Sequence, residues 1–424
     1  MACVTLSPCR LSGSIQVPPS KSIAHRAILC AALAKGESRL SPVDVSEDMK
    51  ATLEGAQALG ASYLWDGDEL FLWGKTHVPP EMPVIDCRES GSTLRFLIPL
   101  TLAIAEKGAF LCHGKLGSRP LTPYEAVFSK RNIAFSQRPR GGDVLELTVQ
   151  GRLTPGNYAL PGDVSSQFIT GLLMALPLLP GDSEILLTTS PSSAGYIQLT
   201  LDAMEAFGVQ ASWPEPRRFF IPGGQNYQPR SQPVEGDYSQ AAVFLCAAAL
   251  GHKVFLKGLN PASHQGDRAV MDILGKMGAD LSHSPEGISY AGGTLHGIEI
   301  DGDPFPDVLP MLALVCCLSK GESRIVNAGR LRLKECDRLS ATVQELSALG
   351  ADIRAEGDAL LIQGKPCFPG GVTVDSHNDH RMAMMLSIAA LHCESPIQLT
   401  GADSVKKSWP GYWRDYQSLG GKNE

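Results

Sequence analysis

The sequence predicts an α/β protein of two domains assembled from six copies of one module, and three observations carry that prediction. A polar cluster, an apolar helix of small residues, a glycine and a β-branched strand recur in that order along the chain. A second pattern, an amphipathic helix closed by glycine and followed by a hairpin, lies between the copies. The last copy stops early, while the first stretch of the chain belongs to no copy of its own. At 424 residues the chain also exceeds what one hydrophobic core usually organises.

The copies read as follows. Ser20-Lys21-Ser22 leads into a helix over 24–34, Glu89-Ser90-Gly91-Ser92 into 94–105, and Ser165-Ser166-Gln167 into 168–179. Asp237-Tyr238-Ser239 leads into 241–250, Pro306-Asp307 into 309–318, and Asp379-His380-Arg381 into 382–391. The anchors return about every 70 residues, the period of a repeated supersecondary unit. Between them, Leu59-Gly60, Phe207-Gly208, Met277-Gly278 and Leu349-Gly350 read as helix ends, because glycine supplies the left-handed cap. Asp66-Gly67-Asp68 and Glu356-Gly357-Asp358 read as hairpin turns. Each module is thus two helices and about four short strands. The sixth lacks its hairpin after 413–419, and the segment 4–17 reads as an orphan strand pair, so the N-terminus is expected to complete the last module. That gives one domain of 19–235 and another of 1–18 plus 236–424, with the Pro-rich polar segment 228–236 as linker.

Composition narrows the class. Hydrophobic residues make up 43% and charged residues 19%, an ordinary globular balance. No apolar run reaches the roughly 18 residues a membrane span needs, and Met1-Ala2-Cys3-Val4-Thr5 lacks the basic start and apolar core of a secretory signal, so a cytoplasmic protein without a membrane partner is expected. The 11 cysteines are scattered without a Cys-x-x-Cys pair and read as reduced, mostly buried thiols. A net charge of −7 argues against a nucleic-acid partner but permits a local basic cleft.

The polar clusters fall where helices begin, where free backbone N–H groups and the helix dipole favour anions. Lys21, Arg26, Arg95, Arg119, Lys334, Arg338, Arg381 and Lys407 lie in or near them, enough cations to balance two phosphorylated acids in a cleft between the domains. Ser20-Lys21-Ser22 is no ATP-binding P-loop, since Ser20 and Ile15 stand where that motif needs glycine. Ser22 and Arg26 share a helix face suited to one phosphate or carboxylate, as do Lys334 and Arg338, with Glu335 between cations. Asp307 is either a helix cap or a catalytic carboxylate. His377-Asn378-Asp379-His380 lacks the companion ligands of a zinc site, so no metal is expected.

Taken together, Pro19-Ser20-Lys21-Ser22 with Arg26, Gly91-Ser92-Thr93-Leu94-Arg95, Ser118-Arg119-Pro120, Ser165-Ser166-Gln167, Lys334-Glu335-Cys336-Asp337-Arg338-Leu339 and Asn378-Asp379-His380-Arg381 resemble the EPSP synthase family of enolpyruvyl transferases over essentially the whole chain. The resemblance implies two inverse α/β domains of three units each, joined by a double crossover. It implies transfer of the carboxyvinyl group of phosphoenolpyruvate to the 5-hydroxyl of shikimate 3-phosphate, by a monomer that needs no cofactor. Lys21, Ser22, Arg26, Ser165, Ser166, Gln167, Ser193, Asp307 and Lys334 would bind shikimate 3-phosphate. Lys21, Gly91, Arg119, Gln167, Arg338, Arg381 and Lys407 would bind phosphoenolpyruvate. Asp307 would accept the hydroxyl proton and Glu335 would exchange protons at the methylene carbon, with Lys21 and His380 assisting. Gly91 would leave room for the family's inhibitor glyphosate. Glu89, Arg330 and Ala194-Gly195 depart from the family's usual residues. Two other readings stand beside this one. A transferase acting on UDP-N-acetylglucosamine would carry a reactive Cys where Gly114 stands, and a non-catalytic anion-binding repeat protein would give Asp307, Glu335 and His380 no task.

Overall fold

The computed structural model describes residues 3–74, 81–284 and 286–424. Two compact units emerge, one of residues 19–234 and the other of 1–18 with 235–424. Among the described residues the first holds six helices: α1 (Lys21–Leu33), α2 (Glu47–Ala58), α3 (Gly91–Ala105), α4 (Thr122–Ser129), α5 (Ser166–Ala175) and α6 (Ala194–Ala206). The described residues of the second form α7 (Tyr238–Ala249), α8 (Ala269–Lys276), α9 (Leu309–Cys317), α10 (Arg338–Leu349), α11 (His380–Ala390) and α12 (Tyr412–Ser418).

Every residue of α7, α9 and α11 is buried, and these three helices pack on one another inside the second unit. That follows from composition, since a helix apolar all round has no face to give to water. In the first unit α3 and α5 play the same part, buried along nearly their whole length. Each unit has its own hydrophobic core.

Among the described residues, each unit carries three four-stranded sheets of one design around these helices. The sheet containing α3's crossover shows it: Val84–Asp86 runs parallel to Lys107–His113, which pairs antiparallel with Val144–Gln150, which pairs antiparallel with Ala134–Gly141. A buried helix makes the parallel connection and the hairpin closes the sheet. The predicted turns at Gly67 and Gly357 join such hairpins, both at positive φ (+64° and +59°) where a side chain would be strained.

The double crossover has a definite meaning in this topology. Ser12–Gln16 precedes α1 in sequence but pairs with Lys253–Lys257, the strand after α7. Ser231–Pro233 precedes α7 but pairs with Glu37–Ser41, the strand after α1. The units have exchanged opening strands. The sixth sheet is completed by Cys3–Ser7, which pairs with Ile397–Thr400 and with the short terminal strand Lys422–Asn423. The N-terminus therefore closes the last module, as its missing hairpin implied. Two expectations change, however. Segment 4–17 is no strand pair, because its two strands join different sheets. Nor is 228–236 a free linker, since backbone pairing holds it to its unit as far as Val234, whose N–H donates to the Ser41 carbonyl.

The N-terminal segment is fastened by two histidines. The Leu11 N–H donates to His252 Nδ1 at 3.0 Å, which leaves His252 Nε2 as the donor toward His392 Nε2 at 3.2 Å. Burial, with His392 and Arg10 close by, holds His252 down at about 3; burial and Arg10 hold His392 at about 4. Both are neutral when folded and titrate near 6.5 when unfolded, so their contribution is complete above that pH and is lost as pH falls toward those lower values. Each adds a slope of about 1.4 kcal/mol per pH unit across that window. Denaturant unfolding of the parent and of His392→Gln between pH 6.5 and 4 is expected to show the shallower loss in the variant; equal slopes refute the assignment.

Candidate active site

In the 19–234 unit, side chains tie the beginnings of α1, α3, α5 and α6 together. Ser20, Ser90 and Ser165 cap α1, α3 and α5, each accepting from a backbone N–H of the first turn. Gln167 bridges α5 to α3: its Oε1 accepts from Arg95 Nη1 at 2.6 Å and its Nε2 donates to Ser92 Oγ at 3.0 Å. Gly91 opens α3 in the middle of this group. A methyl there would lie 3.0 Å from Arg95 Nη1, 3.1 Å from Arg119 Nη1 and 3.4 Å from Gln167 Oε1. The predicted residues Gly91, Arg119 and Gln167 are therefore neighbours. Ser166 is buried in the first turn of α5, and Ser193 sits buried before α6 at φ +56°, a left-handed position that serine rarely takes.

Two predicted basic residues of α1 behave differently. Lys21 is partly exposed and pairs with Asp48 in the first turn of α2 at 2.9 Å. Arg26 is buried, with Nε on Thr200 Oγ1 (2.9 Å), Nη1 on the Ser22 carbonyl (2.6 Å), and Nη2 on the Tyr196 carbonyl (2.8 Å) and Thr170 Oγ1 (3.4 Å). Burial pulls it down to about 10, still charged at neutral pH. In this state it joins α1, α5 and α6, and its contact with Ser22 is to the backbone. His25 beside it is a link that sequence reasoning missed. Its Nδ1 meets Thr52 Oγ1 at 2.7 Å, Thr52 meets Thr93 Oγ1 at 2.7 Å, and Thr93 donates to Ser90 Oγ at 2.8 Å. Burial, with Lys21 and Arg26 adjacent, holds His25 well below its usual value and so neutral.

The unit formed by 1–18 and 235–424 gathers the beginnings of α7, α9, α10 and α11. Arg338, 1% exposed, is the hub: Nη1 reaches Asp307 Oδ1 (2.8 Å), Nη2 reaches Glu335 Oε2 (2.6 Å), and Nε reaches Asp379 Oδ2 (2.6 Å). Lys334 Nζ meets the same Asp307 oxygen at 3.0 Å. Burial alone would raise Asp307, but Lys334, Arg338 and Arg381 overcome it and hold the carboxyl well below the usual carboxylate range. Arg381 donates to the Ser239 carbonyl (2.6 Å) and hydroxyl (2.5 Å), joining α11 to α7. Lys407 donates to the Asn378 carbonyl at 2.7 Å, and His380 is buried beside Asp379.

Here the helix-face expectation is corrected. Asp337 caps α10 by accepting from the Ser340 N–H, so the helix starts at Arg338 and Lys334 lies outside it. The two cations meet at Asp307 instead of along one helix face. Asp307 is no cap either: Val308 precedes α9 without a side-chain cap, and the carboxylate is turned to the cations. Asp379 and Asp48 are central here yet were given no role from sequence, the one signal for Asp379 being its place before a helix; Arg95, expected only as one of several cations, is the partner of Gln167. Among the described residues no three His, Cys, Asp or Glu side chains gather as a metal site. No described helix is long and apolar enough to cross a membrane.

The profile of the family described as EPSP synthase (3-phosphoshikimate 1-carboxyvinyltransferase) matches residues 7–416. The chain belongs to the EPSP synthase family. It is 47% identical over 420 residues to the 3-phosphoshikimate 1-carboxyvinyltransferase of Clostridium perfringens (strain ATCC 13124), covering 99% of this chain and 98% of that one. It is 42% identical over 432 residues to the enzyme of that name from Clostridioides difficile (strain 630), covering 100% and 98%. Among solved structures, an EPSP synthase from Acinetobacter baumannii superposes with a TM-score of 0.82 at 25% identity, covering 100% of this chain and 99% of that one. An enolpyruvyl transferase from Streptomyces tendae shares the fold, with a TM-score of 0.79 at 18% identity. For a member of the EPSP synthase family the state of Cys112 matters. It is buried on the strand Lys107–His113, where burial pushes its thiol up to about 12, so it is no nucleophile. Gly114 stands next to the Glu89 carboxylate.

Removing Arg338 would leave three carboxylates without their shared cation. Arg338→Ala is expected to cost about 3–5 kcal/mol of stability, against under about 1 kcal/mol for Lys407→Ala at the half-buried end of the group. Denaturant midpoints of the two variants check this.

Proposed function

We propose that this chain transfers the carboxyvinyl group of phosphoenolpyruvate to the 5-hydroxyl of shikimate 3-phosphate and releases phosphate. The observation that carries the reading is the pair Asp307 and Glu335 held by one arginine, Arg338, with the cations Lys334 and Arg381 beside them. Addition–elimination needs a base at a hydroxyl and an acid at a carbon, with fixed cations around charge that water no longer reaches.

In this reading Lys21, Ser22, Arg26, Ser165, Ser166, Gln167, Ser193 and Lys334 hold shikimate 3-phosphate. Gly91, Arg119, Arg338, Arg381 and Lys407 hold phosphoenolpyruvate, with Lys21 and Gln167 serving both. The hydroxyl proton goes to Asp307 as its oxygen bonds to C2, and Glu335, entering as the acid, protonates C3, giving a ketal phosphate. Phosphate then leaves from C2 and takes the proton held on Asp307, while Glu335 takes back a proton from the new methyl, restoring the vinyl group and both starting carboxyl states. Asp307 begins ionised, as a base must. Its ion pairs make it weak, and Lys334 turning to the phosphorylated substrate would strengthen it. His380 lies beside this group as an assisting residue. The free thiols of all eleven cysteines suit a reducing cytoplasm, where the reading has the enzyme act as a monomer. The buried thiol of Cys112 speaks against the UDP-N-acetylglucosamine alternative.

Phosphate release measured with both substrates tests the reaction. Glu335→Ala is expected to lose about 100- to 10,000-fold in turnover while calorimetry still shows substrate binding; full turnover would overturn the assignment. Glyphosate below millimolar concentration is expected to inhibit the parent enzyme. Gly91→Ala should weaken phosphoenolpyruvate binding, since crowding of this kind costs about 1–3 kcal/mol, roughly tenfold or more in KM. An unchanged KM would show that Gly91 does not border that ligand.

A further inference from the structure

The turn that delivers Asp379, His380 and Arg381 has an unusual backbone. Between the strand Thr373–Asp375 and α11, His377 and Asn378 both take positive φ, +52° and +54°. Two successive side-chain-bearing residues in the left-handed region persist only where their surroundings hold them. The surroundings here are specific. Glu345, buried on α10, accepts the Asp375 N–H at 2.9 Å through Oε2. Its Oε1 meets His377 Nε2 at 2.7 Å and also accepts from Gln344 Nε2 at 2.9 Å. The His377 N–H donates to Asp375 Oδ1 at 2.7 Å, and Ser376 Oγ donates to the Gly401 carbonyl at 3.0 Å.

Glu345 lies seven residues after Arg338, which puts both on one face of α10. That face therefore grips the turn at both ends: Glu345 at Asp375 and His377, Arg338 at Asp379. Between the two grips the Asn378 carbonyl receives Lys407. Neither Glu345 nor His377 belongs to the groups assigned to the substrates above, yet the conformation they hold sets where Lys407, Asp379 and Arg381 stand.

We propose that Glu345 and His377 are positioning residues for the phosphoenolpyruvate ligands Lys407, Arg338 and Arg381, acting through the left-handed turn at His377-Asn378. The inference rests on the functional reading given above. Without the pair, the turn relaxes, the Asn378 carbonyl swings from Lys407, and affinity for that one substrate falls. The shikimate 3-phosphate residues of the 19–234 unit take no part in this turn, so affinity for that substrate stays.

Steady-state kinetics with each substrate varied in turn, for Glu345→Ala, Glu345→Gln, His377→Asn and Glu345→Ala/His377→Asn, test this alongside melting curves. Glu345→Gln keeps an acceptor for the Asp375 N–H and covers the case in which the alanine variant does not fold. Expected are a rise of roughly tenfold in KM for phosphoenolpyruvate in Glu345→Ala, a smaller rise in Glu345→Gln and His377→Asn, KM for shikimate 3-phosphate within twofold, and a double variant no worse than the worse single one. Overturning results are a lowered melting temperature with both KM values intact, both KM values rising together, or single effects that add. A parent enzyme inactive with these two substrates would instead sink the functional reading, which keeps the two failures apart.

Discussion

The first turn of a helix leaves backbone N–H groups without acceptors, and this protein places eight such turns in two groups of four. Everything else about its polar residues follows from how those turns are satisfied. In the 19–234 unit the side-chain caps are serines: Ser20, Ser46, Ser90 and Ser165. In the other unit they are aspartates: Asp237, Asp337 and Asp379. Either residue type stabilises a helix by about 0.5–2 kcal/mol, but the electrostatic consequence differs. A serine cap leaves the positive end of the dipole for an incoming anion, whereas an aspartate cap cancels it and calls for a cation.

That difference explains the charge arrangement of the second unit. Asp379 caps α11 and takes Arg338; Arg338 in turn takes Asp307 and Glu335; Lys334 takes Asp307. A buried arginine surrounded by acids is stable only while each charge has its partner, because the desolvation of an ion exceeds what any single contact returns. The catalytic carboxylates proposed here are thus also the counter-ions of the substrate-binding cations. Arrival of an anionic ligand competes with Asp307 and Glu335 for the same cations, and the carboxylates become more basic as they lose them. Binding and base strength are coupled by the cluster's own charge balance.

Much of this was legible in the sequence because it depends on period. Six returns of an apolar run with a polar head identified the buried helices and their starts, and the short sixth copy implied that the N-terminus completes the last sheet. What the sequence hid was pairing between distant segments. Nothing local distinguishes Ser12–Gln16 from Cys3–Ser7 as members of different sheets, since strand partners are chosen over separations of hundreds of residues. The same holds for side chains. Arg26, Arg338 and Arg381 read as ligand-facing cations, and in this structure each is buried on internal acceptors 3 to 174 residues away along the chain. Asp48 was overlooked because its significance comes from Lys21, on another helix.

The division between core and helix start also accounts for how one module serves six places. The all-buried bodies of α7, α9 and α11 are built mostly from Ala, Leu, Met, Cys, Val, Ile and Phe, and their packing takes no notice of which polar residue precedes them. A cap needs only an oxygen within reach of the second or third N–H, so Ser, Asp or, at Ser193, a strained turn can each begin a helix over the same kind of core. The heads are therefore free to differ where the bodies cannot. Shikimate 3-phosphate and phosphoenolpyruvate present phosphate, carboxylate and hydroxyl groups that no single repeated head would satisfy. A repeated body with individually chosen heads meets that demand without disturbing either core.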